Sequence, residues 1–121
     1  MLSSRTCLNS AVCALLLACH RLAPNEEKIV GTWEMIGVPK TMHFRFRRDH
    51  TFEGFDYSTK DQRVTTRGSW RLSGNELVVQ EQGVARPGES PPPMHTVTSN
   101  IRAFGENRLV FTDTPGLKRV K

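Results

Sequence analysis

Residues 29–35 read IVGTWEM and residues 65–72 read TTRGSWRL, so the chain's two tryptophans, Trp33 and Trp70, each stand two places after a glycine. Successive side chains of an extended strand point to opposite faces, and residues two apart share a face. Gly31 and Trp33 thus align with Met35, against Thr32 and Glu34. Gly68 and Trp70 align with Val64, Thr66 and Leu72, against Arg63, Thr65, Arg67, Ser69 and Arg71. A glycine on the same face as an indole leaves room beside the ring and lets the strand bend sharply. Two such units, each within an alternating stretch, predict one packing solution used twice in an all-β domain.

The same period continues on either side. TMHFRFRR (41–48) sets Met42, Phe44 and Phe46 against His43, Arg45 and Arg47. In TFEGFDY (51–57), Phe52 is in phase with Gly54, whereas Phe55 and Tyr57 are not. Either a bulge at Gly54 restores the phase, or the outer face carries two aromatics. ELVVQEQ (76–82) turns Leu77 and Val79 inward, and MHTVTSNIRAF (94–104) groups His95, Val97, Ile101 and Ala103; RLVFTD (108–113) and LKRV (117–120) follow. Turn residues separate these runs, Ser73-Gly74-Asn75 and Gly105-Glu106-Asn107 among them. GVARPGESPPP (83–93) reads as a stiff exposed loop, because its prolines remove ladder donors. Seven clear strands and a short eighth, joined mostly by short turns, predict an up-and-down meander. Closing it into a barrel removes its edges, and eight strands enclose just enough space for side chains or one small ligand. The expected fold over residues 29–121 is a small antiparallel meander β-barrel.

The start of the chain follows other rules. MLSSRTCLNSAVCALLLAC has one early charge, Arg5, and then an apolar run from Cys7 to Ala18 broken only by Asn9 and Ser10. Such a run is the length of a secretory signal and too short for a membrane span. Leu16-Leu17-Ala18-Cys19 resembles the lipobox of bacterial lipoproteins, which implies a signal peptide over 1–18, cleavage before Cys19 and a lipid on its thiol. A plain signal peptide is the other reading. His20 occupies the place where an aspartate would imply inner-membrane retention, so the expected location is the periplasmic side of the outer membrane. HRLAPNEEK (20–28) completes a tether over 19–28. All three cysteines lie at or before Cys19, so no disulfide is expected in the domain and the core must hold it together. Cleavage would remove Arg5 alone among the charged residues, lowering the net charge from +5 to +4. Nucleic acid is not an expected partner of an exported chain, despite its pI of 9.6.

IVGTWEM, then FRFRRDHTFEGF (44–55), GSWRLSGNELVV (68–79) and NRLVFTDTPGLKRVK (107–121) together resemble the small lipocalin-like domains of bacterial envelope proteins. In that family a Gly-x-Trp opens the first strand, an Asp-Gly-Thr-Phe-like turn follows the second, and a Gly-Asn-x-Leu turn follows the fourth. The resemblance places Trp33 at the closed end of the barrel. It matches Asp49-His50-Thr51-Phe52 to the turn, with His50 where glycine is usual.

No catalytic set emerges. His20, His43, His50 and His95 lack metal-ligand spacing, although His43 and His50 flank one hairpin end and could approach each other. Glu26-Glu27 is the one adjacent pair of glutamates and falls in the tether. The chain is therefore expected to be a monomeric non-enzyme without metal or cofactor. Two other features remain. Arg45, Arg47, Arg63, Arg67 and Arg71 project from the second and fourth strands, either as an anion-facing surface or as a solvated, edge-blunting one, with Glu53 between them as partial neutraliser. The inward aromatics either fill the core or line a small cavity, and Trp33, Phe44, Phe46 and Trp70 are the expected ligand contacts. One reading is thus a lipid-anchored barrel that binds a small apolar or amphipathic molecule. The alternative is an envelope interaction module with a packed core, using the arginine face or the 83–93 loop, whose polyproline is preformed for docking.

Overall fold

The computed structural model describes residues 22–37, 42–58 and 62–120. A four-residue helix, α1 (Pro24–Glu27), precedes eight strands: β1 (Gly31–Met35), β2 (Met42–Phe46), β3 (Thr51–Asp56), β4 (Arg63–Ser73), β5 (Glu76–Gly83), β6 (His95–Phe104), β7 (Arg108–Phe111) and β8 (Leu117–Arg119). Each pairs antiparallel with the next, and β1 pairs with β8, closing the barrel. The fold is the all-β meander that the alternation predicts. Connections therefore gather at two ends. The turns β2–β3, β4–β5 and β6–β7 lie at one end with α1. The connections β1–β2, β3–β4, β5–β6 and β7–β8 lie at the other, which includes the proline-rich stretch.

The first end is closed. Trp33, Trp70, Ile29 and Leu109 are the largest fully buried side chains, and each indole N–H reaches a backbone carbonyl. Trp33 Nε1 donates to Ile29 O at 2.7 Å, and Trp70 Nε1 donates to Arg47 O at 2.9 Å. A buried indole is thereby satisfied, and each bond fixes the segment that enters or turns beneath the barrel. Arg119, directly across from Trp33 in the β1–β8 ladder, lays its guanidinium 4.2 Å above that indole. Its nitrogens donate to the carbonyls of Lys28, Val30 and Glu106 at 2.9–3.1 Å.

The two Gly-x-Trp units turn out to meet different needs. Gly31 has φ +138°, and a Cβ there would collide with the Arg119 guanidinium. Gly68 faces the backbone of β5, and a Cβ there would land on the Gln80 carbonyl. One glycine admits a cation over an indole; the other lets two strands approach at a tight bend.

Three expectations change at the level of single residues. Residues 22–28 are part of the domain rather than a free tether: Leu22 is buried, and α1 lies beside β4. Proline suits the first helical position, and the Glu26 carboxylate accepts the Ala23 N–H at 2.9 Å. In β6 the register shifts between Ile101 and Ala103, so Phe104, opposite Leu109, packs against the core and Ala103 is exposed. In β3 the register shifts between Gly54 and Phe55, and Phe55 aligns with His43 on the outer face. It is nonetheless buried, because Arg45 lies 4.7 Å over its ring and His43 meets it edge-on at 5.6 Å. Tyr57 stacks on His43 at 3.8 Å.

Gly68→Ala forces β4 and β5 apart, and overpacking of this kind costs about 1–3 kcal/mol. A urea titration should show the midpoint lowered by the corresponding amount with the slope unchanged. An unaltered midpoint would contradict the close strand approach.

Candidate functional site

Above the indoles the barrel is not filled. A cavity of about 190 Å3 is walled by Phe44, Phe46, Phe52, Leu77, Val79 and Phe111, with Met35, Leu117, Val97, Ser99 and Glu81 completing it. The aromatic wall is built by cross-strand contact: Phe46 and Phe52 lie opposite each other with ring centroids 5.1 Å apart, and Phe44 lies 6.0 Å from Phe52. Phe46 also stands edge-on to Trp70 at 5.8 Å, which makes the indole a floor support. Met35 and Val97 are 44% and 43% exposed. They mark the mouth, at the end carrying the β5–β6 connection.

The expected ligand contacts divide accordingly. Phe44 and Phe46 line the cavity; Trp33 and Trp70 do not. The indoles are held by their own N–H bonds at the closed end. Sequence reasoning underplayed β5 and β6. Carrying the Leu77–Val79 parity one step further reaches Glu81, and carrying Val97 one step reaches Ser99. Both steps were legible, but a polar side chain at an inward position gives no hydrophobic signal.

Outside the barrel, the arginines have uses within the fold. Glu53 accepts from Arg45 Nη1 at 3.1 Å and from Arg47 Nη2 at 2.7 Å, and it is itself largely buried beneath them. Arg67 faces Glu53 in the next ladder. Arg71 continues the outward row of β4 and is exposed; Arg63 is exposed too, but it lies beyond the β3–β4 register shift opposite Asp56, so it leaves the outward row that the alternation predicts. Arg48 forms a two-pronged pair with Glu27 at 2.6 and 2.8 Å, on the surface where such pairs contribute little.

His43 and His50 do not meet. His43 sits on β2 beside Glu34 at 3.6 Å, whereas His50 lies in the turn at the closed end. His50 occupies the left-handed region, φ 68°, a conformation that glycine adopts more readily. The strain of about 1–2 kcal/mol is offset locally: Nε2 lies 2.7 Å from Glu26 Oε2, and the ring packs 4.7 Å from Trp70. His95 Nε2 lies 3.4 Å from Glu81 Oε1 at the mouth. Among the described residues no group of three or more histidine, cysteine, aspartate or glutamate side chains is placed to hold a metal ion. Cys19, the signal-like run over 1–18 and His20 lie outside the described residues.

Burial pushes the Glu26 carboxyl up, but the Ala23 amide and the His50 imidazole together outweigh it and hold the group below its ordinary value of 4.5. A carboxylate with a depressed folded-state pKa stabilises the fold above its unfolded value, and that contribution disappears as pH falls through the folded one. Glu26→Gln should therefore lower stability by about 0.5–1.5 kcal/mol at pH 7. The difference from the parent should shrink below pH 4.5 in denaturation curves taken across pH. A difference constant with pH would refute this coupling.

The closed eight-stranded antiparallel meander agrees with a lipocalin-like barrel in architecture. No protein-family model, curated protein or solved structure matches the chain.

Proposed function

We propose that the protein is a non-enzymatic binding barrel that takes one small, largely apolar molecule through its mouth. The supporting observation is the cavity itself: about 190 Å3, walled by four phenylalanines and aliphatic side chains, above a floor already sealed by both indoles. Dry apolar cavities of roughly 150 Å3 bind benzene, so the fitting ligand is a single ring or a chain of roughly six to eight carbons. A long fatty acid would bury only part of its chain there. At about 0.8 kcal/mol per buried methylene, a six-carbon chain corresponds to a Kd of about 0.1–1 mM.

Export and anchoring through a lipid on Cys19 belong to the same proposal, as does the periplasmic side of the outer membrane. They rest on the lipobox-like Leu16–Cys19 run. The alternative of an arginine-face docking module is less favoured, because Arg45 and Arg47 already share Glu53 and Arg45 also covers Phe55.

Titration of the full chain with 1-hexanol, followed by NMR chemical shifts, should show saturable changes confined to the cavity wall. Ser99→Phe, which fills the cavity from its wall, should abolish them while the β-sheet circular dichroism is retained. Diffuse, non-saturating shifts, or saturation unaffected by Ser99→Phe, would exclude cavity binding. Radiolabelled fatty acid should be incorporated into the full chain and not into Cys19→Ala; equal labelling of both would exclude the anchor.

A further inference from the structure

The polarity of the cavity is lopsided. Its floor and walls are hydrocarbon, and the polar lining residues Ser99 and Glu81 belong to β5 and β6. Glu81 is the sole ionisable side chain among the described lining residues. It follows Leu77 and Val79 at the inward parity of β5. Its cross-strand neighbours are Gly68 on β4, which offers no side chain, and His95 on β6. The Glu81 side chain is 20% exposed, so the carboxylate is partly desolvated at the point where a ligand's head group would rest.

Arg45, Arg47, Arg67 and Arg71 occupy the outer parity of β2 and β4, across the sheet from the cavity, and Arg45 and Arg47 are committed to Glu53. Among the described lining residues no cation meets an anionic head. A carboxylate entering tail-first would bring like charges together in a partly desolvated setting, which disfavours the complex, whereas an ammonium or other charged donor would gain a charge-assisted hydrogen bond. His95 is the side chain already paired with Glu81, but it is 62% exposed and stands at 3.4 Å. It leaves carboxylate lone pairs for a second, shorter donor.

Resting on the cavity-binding reading, we infer that Glu81 is the specificity-determining residue of the site and that the ligand class is a small organic amine: a ring or six-to-eight-carbon chain ending in a cationic nitrogen. The walls take the hydrocarbon, and Glu81 selects the head group and sets its orientation toward the mouth.

Three probes of equal length separate head-group selection from cavity filling: hexylamine, 1-hexanol and hexanoate, each titrated into the full chain at pH 8 and low salt and followed by NMR chemical shifts. Hexylamine should bind about ten-fold tighter than hexanoate, with hexanol between them, a ratio equivalent to about 1.4 kcal/mol. Glu81→Gln should bring the three affinities within about two-fold, and Glu81→Lys should invert the order of amine and acid, with retained β-sheet circular dichroism reporting that each variant is folded. If hexanol binds but amine and acid are indistinguishable, or if the amine preference survives Glu81→Gln, the head-group assignment is overturned and the cavity reading stands. If none of the three binds, both are overturned.

Discussion

The contact between Arg119 and Trp33 holds the barrel shut. β1 and β8 are the two ends of the meander, and their ladder is short, spanning Leu117 to Arg119 on one side. Bringing together segments so far apart in sequence carries the largest loop-closure cost in the fold, and three ladder pairs are a small return. The arginine supplements them. Its planar fork supplies donors to the carbonyls of Lys28, Val30 and Glu106, while its face covers the indole. A lysine has no plane to stack and no fork. One side chain on the last strand thus fixes the segment entering the first strand, the β6–β7 turn and the floor. Gly31 exists so that this can happen.

What the floor fixes, the cavity inherits. With both indoles, Ile29 and Leu109 occupying the closed half, the free volume is confined to the half nearer the mouth. Eight strands set the diameter, and the indoles set the depth. A small cavity is the geometric result of a short-stranded barrel that uses its two largest residues as a base. The indole N–H bonds make that base rigid, since each ring is tied to a backbone carbonyl as well as packed.

Much of this was legible in the sequence because period-two alternation is a direct imprint of the two faces of a sheet. Met42–Phe46 and Thr66–Leu72 display it without interruption, and the meander follows from the short turns between such runs; at Arg63 and Val64 the register shift against β3 reverses the facing. The failures have several physical origins. A bulge inserts a residue and reverses the parity beyond it, and nothing in the side chains around Ile101 announces one. Phe104 was therefore missed as a core residue. Phe55 departed from the period for the opposite reason: it faces outward, but an arginine and a histidine bury it. Leu22 and α1 were missed because a short polar run carries no periodicity, and only tertiary contact shows that Leu22 is covered. The cavity wall was read from the aromatics alone, so Phe44 and Phe46 were identified while Glu81 and Ser99 were not.

The same alternation separates two chemistries across a single sheet. On β2 and β4 the outer face carries guanidinium groups, which shield Phe55 and neutralise Glu53, and the inner face is aromatic. On β5 the arrangement differs: Val78 faces outward and is buried, and Glu81 faces inward at the rim. A barrel of net positive charge thus presents a negative group at its opening. A cation approaching from solvent is repelled by the whole molecule at long range and attracted at the mouth, and at physiological salt the long-range part fades within about 8 Å. On the proposed binding reading, the local carboxylate therefore selects what enters, while the outer arginines cover the sheet.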